Sequence, residues 1–104
     1  MYSKMAVVGE RELILSFKAL GIGVFPVENL NEAEERVKQL VDQGYSLILV
    51  TEGFASGMRE LLHTLRMKPG TTITPIPTAA GSEGYALEEL KAVLRKAVGV
   101  DIFG

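Results

Sequence analysis

Ser46-Leu47-Ile48-Leu49-Val50-Thr51, "SLILVT", decides the fold of this 104-residue chain. The run is almost uninterruptedly apolar and too short for a buried helix, so it reads as a strand covered on both faces. Such strands belong to parallel sheets, where connecting helices lie above and below. If that is correct, helices must flank the run.

They do. Upstream, residues 31–44 are the best-marked helix. Asn31 and Glu34 fit an Asn-x-x-Glu capping box, Ala33, Val37, Leu40 and Val41 recur at helical spacing, and Gly44 closes the segment. Downstream, Phe54, Met58, Leu61, Leu62 and Leu65 form one stripe on a further helix, which ends in the turn "KPG" at Lys68–Gly70. Nearer the start, "KMAVVG" (4–9) reads as the first strand. A helix follows with Leu13, Ile14, Phe17 and Leu20 on one face and Gly21 as its stop. The remaining strands, "GVFPV" (23–27) and "TTITPIP" (71–77), each contain proline, and Pro26 demotes its strand to a sheet edge.

Strand–helix alternation four times over predicts one small α/β domain of Rossmann or flavodoxin-like type. Its four-stranded parallel sheet has order 2-1-3-4, by analogy with flavodoxin-like folds, and helices on both faces. A last amphipathic helix is expected from Ser82 or Glu83 to Val98, with Leu87, Leu90, Leu94 and Ala97 or Val98 at intervals of three and four. The chain thus divides into a sheet domain over 1–80 and a C-terminal helix and tail over 81–104. Whether that helix packs on its own sheet or extends along a partner stays open at this point.

Composition bounds the function. A formal charge of −2 argues against nucleic acid as a partner. With no cysteine there is no disulfide framework, thiolate nucleophile or cysteine metal site. No segment approaches the roughly 20 apolar residues needed to span a bilayer, and the first dozen residues lack a signal-peptide apolar stretch. The expected location is cytoplasmic, without direct membrane insertion.

Candidate chemistry is thin. In such sheets ligands bind at the carboxyl ends of the strands, here Gly9-Glu10 and Thr51-Glu52. A receiver-like domain binding phosphate or a metal would use Glu10 and Glu52, but it needs more oxygen ligands than these two supply. The ordinary reading is a pair of solvated acids at helix starts. "GSEG" (81–84) lies between a strand and a helix and would suit a small nucleotide-binding domain. It lacks the Lys-Ser or Lys-Thr of a phosphate loop, so Ser82 reads as a helix cap. "GIG" (21–23) follows a helix and reads as a stop and turn. His63, the only histidine, falls opposite the apolar stripe with no partners spaced for a triad or a zinc site. No catalytic, cofactor-binding or metal-ligating residue is assigned.

What composition leaves over is the ending, "LRKAVGVDIFG", whose apolar side chains continue past the Gly99 helix break. A free C-terminus is ordinarily polar. The ending therefore either folds back on its own domain or serves as a surface for another protein, and in the second case Leu90, Val93, Leu94, Ala97, Val98, Val100, Ile102 and Phe103 are the expected interface.

"PIPTAAGSEGYALEELKAVLRKAVGVDIF" (75–103) resembles the C-terminal third of the F-subunit of the bacterial and archaeal A/V-type rotary ATPases, also called V-type ATP synthases. "MAVVGE" (5–10), Phe17 with "LGI" (20–22), and "ILVTE" (48–52) agree with the same family, so the resemblance covers essentially the whole chain. It departs at Glu10, where family members often carry aspartate, which weakens any special role for that position. The resemblance implies a non-catalytic component of the central rotor stalk, peripheral to the membrane and without cofactor. Its partner would be the long coiled-coil D-subunit of the stalk and, through it, the A/B catalytic head and the membrane ring that carries ions. It also implies a compact α/β part and a more mobile C-terminal segment that stabilises the stalk and modulates hydrolysis.

Overall fold

The computed structural model describes residues 4–77 and, beyond them, Ala92, which is helical and exposed. The elements run β1 (Met5–Gly9), α1 (Arg11–Ile14), a 3-10 helix (Leu15–Leu20), β2 (Gly23–Pro26), α2 (Leu30–Asp42), β3 (Leu47–Thr51), α3 (Glu52–Ala55), α4 (Arg59–Leu65) and β4 (Thr72–Ile76). All pairings are parallel, as the alternation predicts, and the order is β2-β1-β3-β4, as the analogy with flavodoxin-like folds suggests. The expected last helix, other than Ala92, and the tail lie outside the described residues.

All five residues of β3 are buried, because both of its faces are covered. Ile48 and Val50 point into one apolar layer with Ala6, Val8 and Ile73, roofed by Ala33, Val37 and Leu40 of α2 and by Met58, Leu62 and Leu65. Leu47 and Leu49 point into the other layer with Val7 and Ile76, beside Ile14, Phe17 and Leu20. Full burial of each Val, Leu, Ile, Phe or Met side chain among them is worth roughly 1.5–3 kcal/mol, which makes these two layers the main source of stability.

Proline occupies both edge strands at positions where it costs no ladder bond. Thr72 N–H donates to Ser46 C=O across the sheet. Backbone groups alternate sides along a strand, so Ile73 and Pro75 turn theirs outward. At the other edge Val27 N–H donates to Gly9 C=O, which turns Pro26 outward. Each proline therefore removes a donor only from the free margin, where strand-to-strand association would start.

Three helix assignments change in detail. The first helix is α-helical only to Ile14 and then tightens into the 3-10 turn that ends at Gly21, whose φ is 77°. Its buried residues Ile14, Phe17 and Leu20 are spaced by three, which suits the three-residue turn of a 3-10 helix, and Leu13 is only half-buried. The single stripe expected over Phe54–Leu65 breaks at Ser56–Met58 into α3 and α4. Gly57 weakens the helix there, and the Leu30 side chain lies against it, so close that an added Cβ would come within 3.2 Å.

The capping box of α2 begins two residues earlier than expected. Asn29, not Asn31, is the N-cap: its Oδ1 accepts from Glu32 N–H at 2.9 Å, and Glu32 Oε1 accepts from Glu28 N–H at 2.8 Å. At the other end Tyr45 N–H donates to Leu40 C=O and Gly44 N–H to Val41 C=O, the paired bonds of a Schellman stop, with Gly44 at φ 84°. Asn29→Ala should therefore cost about 1 kcal/mol. Asn31→Ala should stay within about 0.5 kcal/mol. Paired thermal melts check this, and the opposite ranking would return the box to Asn31.

Candidate functional site

The carboxyl ends of β1 and β3 lie side by side in the sheet, bringing Gly9-Glu10 next to Thr51-Glu52. Thr51 is the one fully buried polar side chain among the described residues. Its hydroxyl donates to Glu10 Oε1 at 2.7 Å, which satisfies a group that would otherwise lose its water uncompensated. The close approach depends on Gly9: a Cβ there would fall 2.2 Å from Thr51 Cγ2 and 2.6 Å from its Oγ1. Gly53 is a milder case, since its Cβ would lie 3.1 Å from Glu10 Oε2.

The two glutamates singled out from sequence therefore differ. Glu52 is exposed at the start of α3 and fits the picture of a solvated acid. Glu10 does not: it is half-buried and tied to β3 through Thr51. That tie is structural, joining the loop after β1 to the central strand. Among the described residues no group of three His, Cys, Asp or Glu side chains gathers that could hold a metal ion. His63 is exposed on α4, on the side expected.

Two open cavities border this end. One, of about 400 Å³, is lined by Glu10, Arg11, Glu12, Glu28 and the apolar Pro26, Val27 and Phe54. The other, of about 280 Å³, runs between α3, α4 and β4, with Ala55, Leu62 and Pro75 as its apolar floor and Arg59, Arg66, Glu52 and Ser56 around it. Sequence reading missed the second groove. Its signal is the seven-residue spacing of Arg59, the first residue of α4, and Arg66, the C-cap of the same helix.

The expected interface residues, Leu90, Val93, Leu94, Ala97, Val98, Val100, Ile102 and Phe103, and the "GSEG" segment all lie outside the described residues. No described helix is long and apolar enough to cross a membrane.

Comparison with known proteins agrees with the reading from sequence. The family model for the ATP synthase (F/14-kDa) subunit matches residues 5–98. The chain is 36% identical over 102 residues to the V-type ATP synthase F-subunit of Clostridium perfringens, covering 98% of this chain and 97% of that protein. It is 35% identical over 102 residues to the V-type ATP synthase F-subunit of Clostridium botulinum, covering 98% and 99%. To the A-type ATP synthase F-subunit of Methanothermobacter thermautotrophicus it is 31% identical over 104 residues, covering 98% of each. The match runs through the sheet and on over most of the C-terminal segment, and on that extent the chain belongs to the ATP synthase (F/14-kDa) subunit family.

Proposed function

We infer that this chain is a non-catalytic component of the central rotor stalk of a V/A-type ATP synthase, and that it binds the coiled-coil D-subunit of that stalk. The reading combines membership of the family with one observation, the apolar ending "VGVDIFG" beyond the Gly99 break. The sheet domain, residues 1–80, acts as a compact body. The segment 81–104 carries the interface through Leu90, Val93, Leu94, Ala97, Val98, Val100, Ile102 and Phe103. The role is mechanical: the protein stiffens and positions the rotor while torque passes between the hydrolytic head and the ion-carrying membrane ring. Its place is then on the cytoplasmic side, held at the membrane by the rest of the complex.

Calorimetric titration of the full chain tests this reading directly. Saturable binding to the coiled-coil stalk protein is expected, with no binding of Mg-ATP in the micromolar range and no ATP hydrolysis by the chain alone. Micromolar Mg-ATP binding abolished by Gly84→Asp would instead favour a nucleotide-binding domain.

A further inference from the structure

Among the described residues β4 is an edge of the sheet, and its outward margin is closed in more than one way. Thr72 N–H donates inward to Ser46 C=O, so the outward positions are Ile73, Pro75 and, just past the strand, Pro77. Neither proline has an N–H to offer. The Ile73 carbonyl is already taken: Arg66, the C-cap of α4, donates to it from Nε at 3.1 Å. The opposite margin needs less. β2 has four residues, and with Pro26 turned outward Val24 is the one residue of that strand with an outward N–H.

The strand closed in this way is well suited to pair with a copy of itself. "TTITPIP" (71–77) is rich in threonine and isoleucine, and a twofold pair about position 75 would run antiparallel. In that ladder position 75 of one copy would face position 75 of the other, and 73 would face 77. Facing residues of this kind exchange both of their N–H···O bonds when each carries a donor. With proline at 75 both central bonds lose their donor, and with proline at 77 each outer pair loses one. What remains is the Ile73 N–H at either end. We propose that Arg66, Pro75 and Pro77 act together to close β4 against a second copy of this chain, keeping the free chain unpaired. The prolines remove the donors, and Arg66 occupies the acceptor that a shifted register would use. Pro75 is exposed, so the apolar layers do not call for its ring. The proposal is independent of which protein the C-terminal segment binds.

Sedimentation equilibrium of the full-length chain and of the variant Arg66→Gln/Pro75→Thr/Pro77→Thr, each over a range of concentrations, tests this. The unaltered chain is expected to stay monomeric where the variant is half dimeric, a shift of at least about tenfold in self-association. Amide hydrogen exchange locates the contact. Positions 73, 75 and 77 should gain protection as the variant is concentrated, and β2 should not. The variant Pro75→Thr/Pro77→Thr, with Arg66 kept, should dimerise more weakly than the triple variant, which separates the part of the arginine from that of the prolines. Thermal melts of dilute samples check folding, and Pro75→Thr alone, at an exposed position, takes the place of the triple variant should that one not fold. A variant as monomeric as the unaltered chain overturns the proposal. So does an unaltered chain that already dimerises, a dimer protected elsewhere, or one indifferent to Arg66.

Discussion

Gly9→Ala is expected to lower the melting temperature of the isolated chain by roughly 15–25 °C, far more than a one-methyl change ordinarily does. The added Cβ would fall 2.2 Å from Thr51 Cγ2, 2.6 Å from Oγ1 and 2.9 Å from Cβ. Thr51 has no room to yield, being fully buried in the central strand between both apolar layers. Overpacking of this kind costs about 1–3 kcal/mol. Displacing the hydroxyl would also break its 2.7 Å bond to the Glu10 carboxylate, a charge-assisted bond worth about 1.5–3 kcal/mol. Together these approach half of the stability of a small domain, typically about 5–15 kcal/mol.

The cause can be isolated with a second substitution. Thr51→Ala removes both the nearest methyl and the hydroxyl, leaving only the 2.9 Å approach of Cβ. The double variant Gly9→Ala/Thr51→Ala should therefore be less destabilised than the sum of its parts, a coupling expected for side chains competing for one space. Additive losses, or a Gly9→Ala chain that melts within a few degrees of the unaltered one, would show that the strands separate easily at this point. The tie between β1 and β3 would then contribute little.

This contact also marks how far the sequence could be read. The sheet was legible because its signals are local and redundant. "SLILVT" requires two covered faces, Gly21 and Gly44 fall at helix stops, and Pro26 marks a strand whose ladder bonds lie on one side only. The Thr51–Glu10 bond was not legible, since it spans 41 positions and depends on how two strand ends meet. The capping box slipped by two because "ENLNEAEE" (28–35) contains two asparagines, each followed three residues later by glutamate. Local pattern fits either frame, and packing of Ala33, Val37, Leu40 and Val41 is the same in both. The extended backbone at Asn29, φ −150° and ψ 171°, and the bond its Oδ1 accepts from Glu32 N–H separate them. The 3-10 turn was obscured by Leu13, which completes a helical pattern with Phe17 yet is only half-buried. The groove beside β4 was obscured because charged residues on an exposed helix face ordinarily signify solvation and nothing more.

Deleting residues 99–104 should weaken association with the coiled-coil stalk protein by roughly tenfold to a hundredfold while scarcely changing the melting of the isolated chain. Val100, Ile102 and Phe103 follow the helix break at Gly99, whereas both described apolar layers are built from residues between Met5 and Ile76. If the tail belongs to an interface, few contacts within the domain are lost with it. Partial burial of three such side chains contributes several kcal/mol of gross transfer energy, at roughly 1.5–3 kcal/mol for each when fully buried. Ordering a segment of six residues on the partner opposes much of that gain, at about 0.5–1.5 kcal/mol for each immobilised rotamer-rich side chain. The surplus of about 1.4–2.7 kcal/mol corresponds to the stated range of affinity. Thermal melts and titrations with the coiled-coil protein, made on the same full-length and truncated preparations, decide the matter. Opposite behaviour, with melting lowered and binding unaltered, would make the tail a part of the domain core. The apolar ending would then carry no information about a partner.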